Sequence, residues 1–414
     1  MKLIERKTYL AILNECKGTP DIKVITGIRR CGKSKLLESF SEKISKEEPD
    51  SNLIRINFNL AEFDEAKTGA KLIEFVEKHY KAGAHNYLFI DEVQLCDGFE
   101  RAINSFHASE KYDIYITGSN AFLSSSDLAT LFVGRTFEIP IFPFSFSEFI
   151  QYYPVQRSLY DSLDDYFRIG GMPGSYLYKR EELRRDYLNR DVLNALILRD
   201  IVQKKKIKNV PLLEKLLDFL TSNIGSLLST RNVEKKLSES GAKADHKTIQ
   251  SYISCLTNAF AFYRVRRYDI KGMKYLQSED KYYLADISFR YSLLGTKNQD
   301  YGHALENMVA IELLRRGYEL YVGKLYKKEI DFVALKEGKR LYIQVSYDIR
   351  DEGTLKRELS PLLAIHDNYE KILIARTYQP SYEVDGIKVI DPAEWLVEKT
   401  PQHESGHKAQ SLLE

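Results

Sequence analysis

Gly27-Ile-Arg-Arg-Cys-Gly32-Lys33-Ser34 has the spacing GxxxxGK[ST]. Glycines at its two ends let the backbone curl so that successive N–H groups face a polyphosphate. The lysine can then reach the β- and γ-phosphates, and the serine hydroxyl can ligate Mg2+. The expected nucleotide shell is Gly27, Ile28, Arg29, Arg30, Cys31, Gly32, Lys33, Ser34 and Lys35, with ATP and Mg2+ as cofactors. Downstream, Asp91-Glu92 closes the apolar run Tyr87-Leu-Phe-Ile90. An aspartate at the end of a strand buried on both faces can share Mg2+ with Ser34. The adjacent glutamate can polarise the water that attacks the γ-phosphate. The plain alternative is an acidic pair opening a helix.

The elements that must position these groups are legible. Ile22-Lys-Val-Ile25 reads as a short buried strand, and Leu36, Leu37, Phe40 and Ile44 recur at helical spacing, so the loop joins strand to helix. A third strand, Tyr112-Asp-Ile-Tyr-Ile116, ends in Thr117-Gly-Ser-Asn120, where Asn120 or Ser119 could sense the γ-phosphate. Gly134-Arg135 precedes the strand Thr136-Phe-Glu-Ile-Pro-Ile, and Arg135 could reach a neighbouring subunit's phosphate. A strand-to-turn junction and a surface arginine are the plain readings of these two. The expected catalytic set is Lys33, Glu92, Asn120 and Arg135, with Ser34 and Asp91 on the metal.

The series GIRRCGKS, LFIDEVQ, ITGSN and GRTFEIPIFPFSFSEF resembles prokaryotic ATPases of the AAA+ superfamily, most of all those with a C-terminal domain of unknown function related to restriction-type nucleases. The resemblance implies ATP at the loop and metal and hydrolysis roles for Lys33, Ser34, Asp91 and Glu92. It also implies an arginine finger at Arg135, and so a homo-oligomer.

From Phe144 to Val202 the pattern is helical and aromatic, broken at Gly170-Gly-Met-Pro173; a lid on the nucleotide domain is the simplest reading. Leu183, Tyr187, Leu188, Asp191, Asn194 and Ala195 form a mixed face rather than a clean stripe. The basic run Arg199–Lys208 reads as a solvated linker. From about 211 to 295 the order is helix, turn, helix and a two-stranded hairpin, which is a winged-helix layout. There Lys243, His246, Lys247, Thr248 and Gln250 would open the second helix. Arg264, Arg266, Arg267, Lys271 and Lys274 would give the wing phosphate-seeking charge for DNA. Winged helices also act as protein adaptors, so a protein partner is the alternative.

Ala304–Arg316 is a helix holding Glu306, followed by strands containing Asp331 and Gln344-Val-Ser346. The layout of helix-Glu, strand-Asp, hairpin and strand-(Glu/Gln)-x-Lys resembles the restriction-endonuclease-like fold. Its chemistry needs carboxylates for Mg2+ and a lysine to orient the water. Ser346 stands where the lysine would be, so Glu306, Asp331, Gln344 and Ser346 read as a vestigial site unless Lys339 or another nearby lysine substitutes.

The rest of the chain sets bounds. The 414 residues suffice for two or three domains, and a net charge of +2 announces no global field toward nucleic acid or membrane. The scattered cysteines Cys16, Cys31, Cys96 and Cys255 suggest neither zinc nor disulfides, and no run is apolar enough to span a bilayer. A cytoplasmic protein without a membrane partner is expected. The expected fold is α/β: an AAA+-like P-loop core with a mostly parallel sheet over 1–142 and a helical lid over 143–208. A winged helix over 209–295, a degenerate nuclease-like domain over 296–396 and a polar tail over 397–414 follow. The expected function is ATP hydrolysis coupled to gripping DNA or a protein. A slow nucleotide switch and an ATP-linked nuclease are the rivals.

Overall fold

The computed structural model describes residues 4–118, 123, 130–132, 134–154, 158–239, 241, 245–295 and 300–398; of residues 198–200 and 277–278 it describes the backbone alone. Strands β1 (Ile22–Thr26), β2 (Asn52–Asn57), β3 (Asn86–Asp91), β4 (Asp113–Thr117) and β5 (Thr136–Pro140) form a parallel sheet in the order β2-β3-β4-β1-β5. β1, β3 and β4 are buried at every position, the burial expected of parallel strands covered on both faces. Their registers pair Ile25 with Thr117 and Ile90 with Ile116, so the ends of β1, β3 and β4 share one edge of the sheet. That edge is where open α/β sheets carry their ligands.

The helix Lys33–Glu47 buries Leu36, Leu37, Phe40 and Ile44 against one sheet face, where Phe40 meets Tyr115 at 5.3 Å between ring centroids. Its apolar cluster continues through the helical middle of the chain into the helix Tyr301–Arg315. A second cluster covers the other face of the parallel sheet. The nucleotide half and the C-terminal half therefore share a core.

The middle segment explains its own mixed face. Tyr187–Asn194 and Leu196–Gln203 are π-helical. Burial falls on Tyr187 and Leu188, Val192 and Leu193, Leu196 and Ile197, and Ile201, at steps of four to five rather than 3.6. A pattern read at α-helical spacing cannot form a clean stripe there.

The helices Val210–Ser222, Thr230–Glu239 and His246–Asn258 lead into the hairpin β6 (Phe262–Asp269) and β7 (Lys274–Leu284). The hairpin does not stand alone. β6 pairs in parallel with β8 (Glu319–Leu325), which continues through β9 (Lys328–Lys336), β10 (Lys339–Ser346), β11 (Glu370–Ala375), β13 (Ile387–Ile390) and β12 (Tyr382–Val384). The result is one eight-stranded sheet, order β12-β13-β11-β10-β9-β8-β6-β7. Pairing with β8 satisfies the backbone groups that a free wing would leave open on β6. Among the described residues no helix is long and apolar enough to cross a membrane.

Candidate nucleotide site

The phosphate loop is shaped by two glycines with positive φ, Gly27 at 139° and Gly32 at 105°. A Cβ on Gly27 would lie 2.1 Å from the Ile141 carbonyl oxygen, so no side chain fits without moving backbone. Ile28 and Cys31 are fully buried and pin the loop to the core. Lys33 Nζ donates to the carbonyls of Gly27 at 2.7 Å and Ile28 at 3.2 Å, which holds its ammonium within the loop. Lys35 instead pairs with Glu38 on the helix surface. Arg30 leans out of the loop over the Tyr187 ring, 5.2 Å from its centroid, and lies 3.8 Å from Asp191.

Ser34 Oγ donates to Asp91 Oδ1 at 3.0 Å, so the expected metal pair is in contact. The same oxygen accepts a hydrogen bond from the Thr117 hydroxyl. Burial raises the Asp91 carboxyl above its ordinary value, although both hydroxyls pull it down. Glu92 follows in a left-handed backbone conformation, φ 56°, and its carboxylate accepts from the Gln94 amide. Carboxylate, hydroxyl and lysine converge at the mouth of a helix, a donor set that suits Mg2+ and a polyphosphate.

Thr117 and Gln94 were missed by the sequence reading. Thr117 carries a signal, a hydroxyl residue ending the strand beside β3, at the strand-to-turn junction. Asn120 and Ser119 lie outside the described residues. Arg135 is exposed just before β5, level with the start of β1, roughly 20 Å along the strands from the phosphate loop at ~3.3 Å per residue. It does not join its own chain's site.

Of the expected DNA-facing residues, Lys243 lies outside the described set. Lys247, Arg266, Lys271 and Lys274 are exposed. Arg264 pairs with Asp280 at 2.7 Å and Arg267 with Glu279 at 3.0 Å, which neutralises two of the charges assigned to the wing.

In the C-terminal half, Glu306 and Asp331 come together with Gln344. The β9–β10 register pairs Phe332 with Ile343, and one step further sets Asp331 beside Gln344. Ser346 turns away, donating its hydroxyl to the Asp348 carbonyl at 3.1 Å. Lys339 is exposed at the far end of β10, roughly 16 Å from Gln344 at ~3.3 Å per residue, too far to substitute for a lysine.

Residues 19–150 match the family model described as an AAA domain, and residues 160–300 match a domain of unknown function. An uncharacterised protein of Haemophilus influenzae is 38% identical over 401 residues, covering 96% of this chain and 99% of that one. An uncharacterised protein of Methanocaldococcus jannaschii is 28% identical over 366 residues, covering 83% and 79%. A Walker-type ATPase of Pyrococcus abyssi superposes with a TM-score of 0.41 at 16% identity, over 70% of this chain and 96% of that structure. The parallel sheet agrees with the AAA match. The chain belongs to the family of the Haemophilus influenzae protein and carries an AAA-type P-loop domain.

Proposed function

We propose that the chain binds ATP through Gly27–Ser34 and hydrolyses it, using the cycle to change the grip of its C-terminal half on DNA. The observation that carries this reading is the Ser34–Asp91 contact beneath a loop whose first glycine admits no side chain. Ser34 and Asp91 would hold Mg2+, which when bound neutralises phosphate charge. Lys33 would add its ammonium to the β/γ-phosphates, and Glu92 would take the proton of the attacking water as the bond to the leaving ADP oxygen breaks. The link to the C-terminal half runs through Ile141–Phe144. Ile141 N–H donates to the Thr26 carbonyl at 2.8 Å, Phe142 stacks on Tyr263 of β6 at 5.2 Å, and Arg315 donates to the Pro143 carbonyl at 3.1 Å. A shift of the loop would therefore be felt in the larger sheet.

Exposed Lys247, Arg266, Lys271 and Lys274 favour DNA as the partner, with a protein the alternative. ATP turnover with and without duplex DNA, at two salt concentrations, tests this. DNA-stimulated turnover that fades with salt is expected. Lys33→Ala should weaken ATP binding in calorimetry, and unaltered affinity in the folded variant would defeat the phosphate-loop reading.

One observation favours a slower switch as the second reading. The Gln94 amide holds the Glu92 carboxylate, so the base is engaged before water arrives. In that reading Gln94→Ala raises basal turnover, whereas a rate unchanged by the substitution argues against it.

A further inference from the structure

The carboxylate cluster of the C-terminal half holds a cation of its own. Lys281, on β7, has a side chain only 4% exposed. Its Nζ lies 2.8 Å from Glu306 Oε1, 2.9 Å from Glu329 Oε1 and 3.6 Å from Asp331 Oδ1. Tyr283, on the same face of β7, donates its hydroxyl to Glu306 Oε1 at 2.6 Å. Burial alone would lower the pKa of Lys281, but Glu306, Asp331 and Glu329 outweigh it and raise it, so the ammonium is charged. Burial and the Glu306 charge together push the Asp331 carboxyl up.

The resemblance to restriction-type nucleases implies a divalent ion here, on Glu306, Asp331 and the Gln344 carbonyl. The residues present do not fit one. Glu306 Oε1 is engaged by both the ammonium and the phenol. Asp331 Oδ2 accepts the Val345 N–H at 2.9 Å. Gln344 turns Oε1 toward the Asp331 N–H at 3.4 Å and donates its amide to Glu358 at 3.2 Å. Among the described residues, no group of three or more His, Cys, Asp and Glu side chains is arranged to hold a metal.

We propose that Lys281 is the resident cation of this cluster, standing where a metal-dependent nuclease would keep its ion. An ammonium supplied by the chain itself is held at high effective concentration. A divalent ion would have to displace it and leave a buried charge without its partners. The contacts also cross elements. Lys281 comes from the hairpin that follows the helical segment, Glu306 from the helix Tyr301–Arg315, and Glu329 and Asp331 from β9. The ammonium thus fastens the hairpin to the sheet it extends.

The test is Mn2+ binding by the full-length chain without nucleotide, read by calorimetry and by the Mn2+-dependent change in Tm. The wild type should show no binding that is lost on Asp331→Asn. Lys281→Gln should gain Mn2+ binding at least about tenfold tighter than wild type, abolished when Asp331→Asn is added. Asp331-dependent Mn2+ binding by the wild type would overturn the proposal, as would a folded Lys281→Gln that gains none. Should Lys281→Gln fail to fold, Lys281→Arg restores a cation and is expected to fold, still without Asp331-dependent Mn2+ binding. Such binding in the arginine variant would equally overturn the proposal.

Discussion

Arg6 donates to both carboxylate oxygens of Glu148, at 2.9 and 3.1 Å, while its Nη1 reaches the Cys31 carbonyl inside the phosphate loop at 3.4 Å. Its Nη2 also serves the Phe142 carbonyl at 2.9 Å. Glu148 completes a capping box with Ser145 at the start of the helix Phe146–Tyr152. One buried guanidinium therefore ties the N-terminal segment, the phosphate loop and the path to the C-terminal half.

Removing one partner of this pair leaves the other charged and buried. Arg6→Ala should cost about 3–5 kcal/mol in chemical denaturation. Burial alone would raise the Glu148 carboxyl, but Arg6 outweighs it and lowers it. Its stabilising contribution is present above the ordinary carboxylate range and is lost as pH falls through the lowered value. The acid-side loss of stability should shrink in Glu148→Gln; an identical pH profile would contradict the pairing.

Asp286 carries the opposite sign. It accepts the Gly171 N–H at 2.6 Å and the Ser288 N–H at 2.9 Å, joining the segment after β7 to the Gly170–Gly171 break. Burial pushes its carboxyl up to about 6, although these bonds pull it down. Between the unfolded value near ~4 and about 6 the folded chain keeps a proton that the unfolded chain has released, so stability falls as pH rises through that window. Asp286→Asn should flatten this fall, by up to about 3 kcal/mol between pH 4 and 7. Denaturation curves in which both proteins lose stability equally across that range would refute the assignment.

Arg135 is exposed at the end of the sheet away from its own phosphate loop, and we propose that it acts on another subunit. Activity per chain should rise with protein concentration. Arg135→Ala mixed with Glu92→Gln should recover part of the turnover, because each chain supplies what the other lacks. Full specific activity from a species that light scattering shows to be monomeric with ATP bound would rule out action in trans.

The nucleotide site was legible because its backbone leaves little choice of residue. A loop that presses Gly27 against Ile141 spells itself in glycine, and the charge chemistry adds Lys33, Ser34 and Asp91. Local pattern failed where contacts are long-range. Lys281 meets Glu306, Glu329 and Asp331 from a strand whose sequence, Asp280-Lys-Tyr-Tyr, resembles a solvated edge. Its alternation with the fully buried Tyr283 was the available signal, since both side chains share one face. The joining of β6 to β8 was hidden for a related reason, because no local feature tells a free wing from a strand that finds a neighbour later in the chain. The burial repeat of four to five residues from Tyr187 to Ile201 is invisible at a period of 3.6.

We propose that Glu92 activates water at a nucleotide site built by Gly27–Ser34 and Asp91. Glu92→Gln keeps the side-chain shape and leaves the Ser34–Asp91 contact in place. ATP binding and ATP turnover should be measured on the same preparation, by calorimetry and phosphate release. The account predicts binding like that of the wild type, with turnover lower by at least ~10²-fold. Turnover near the wild-type rate would place the base elsewhere, and a wild type that binds no ATP would contradict the account at its root.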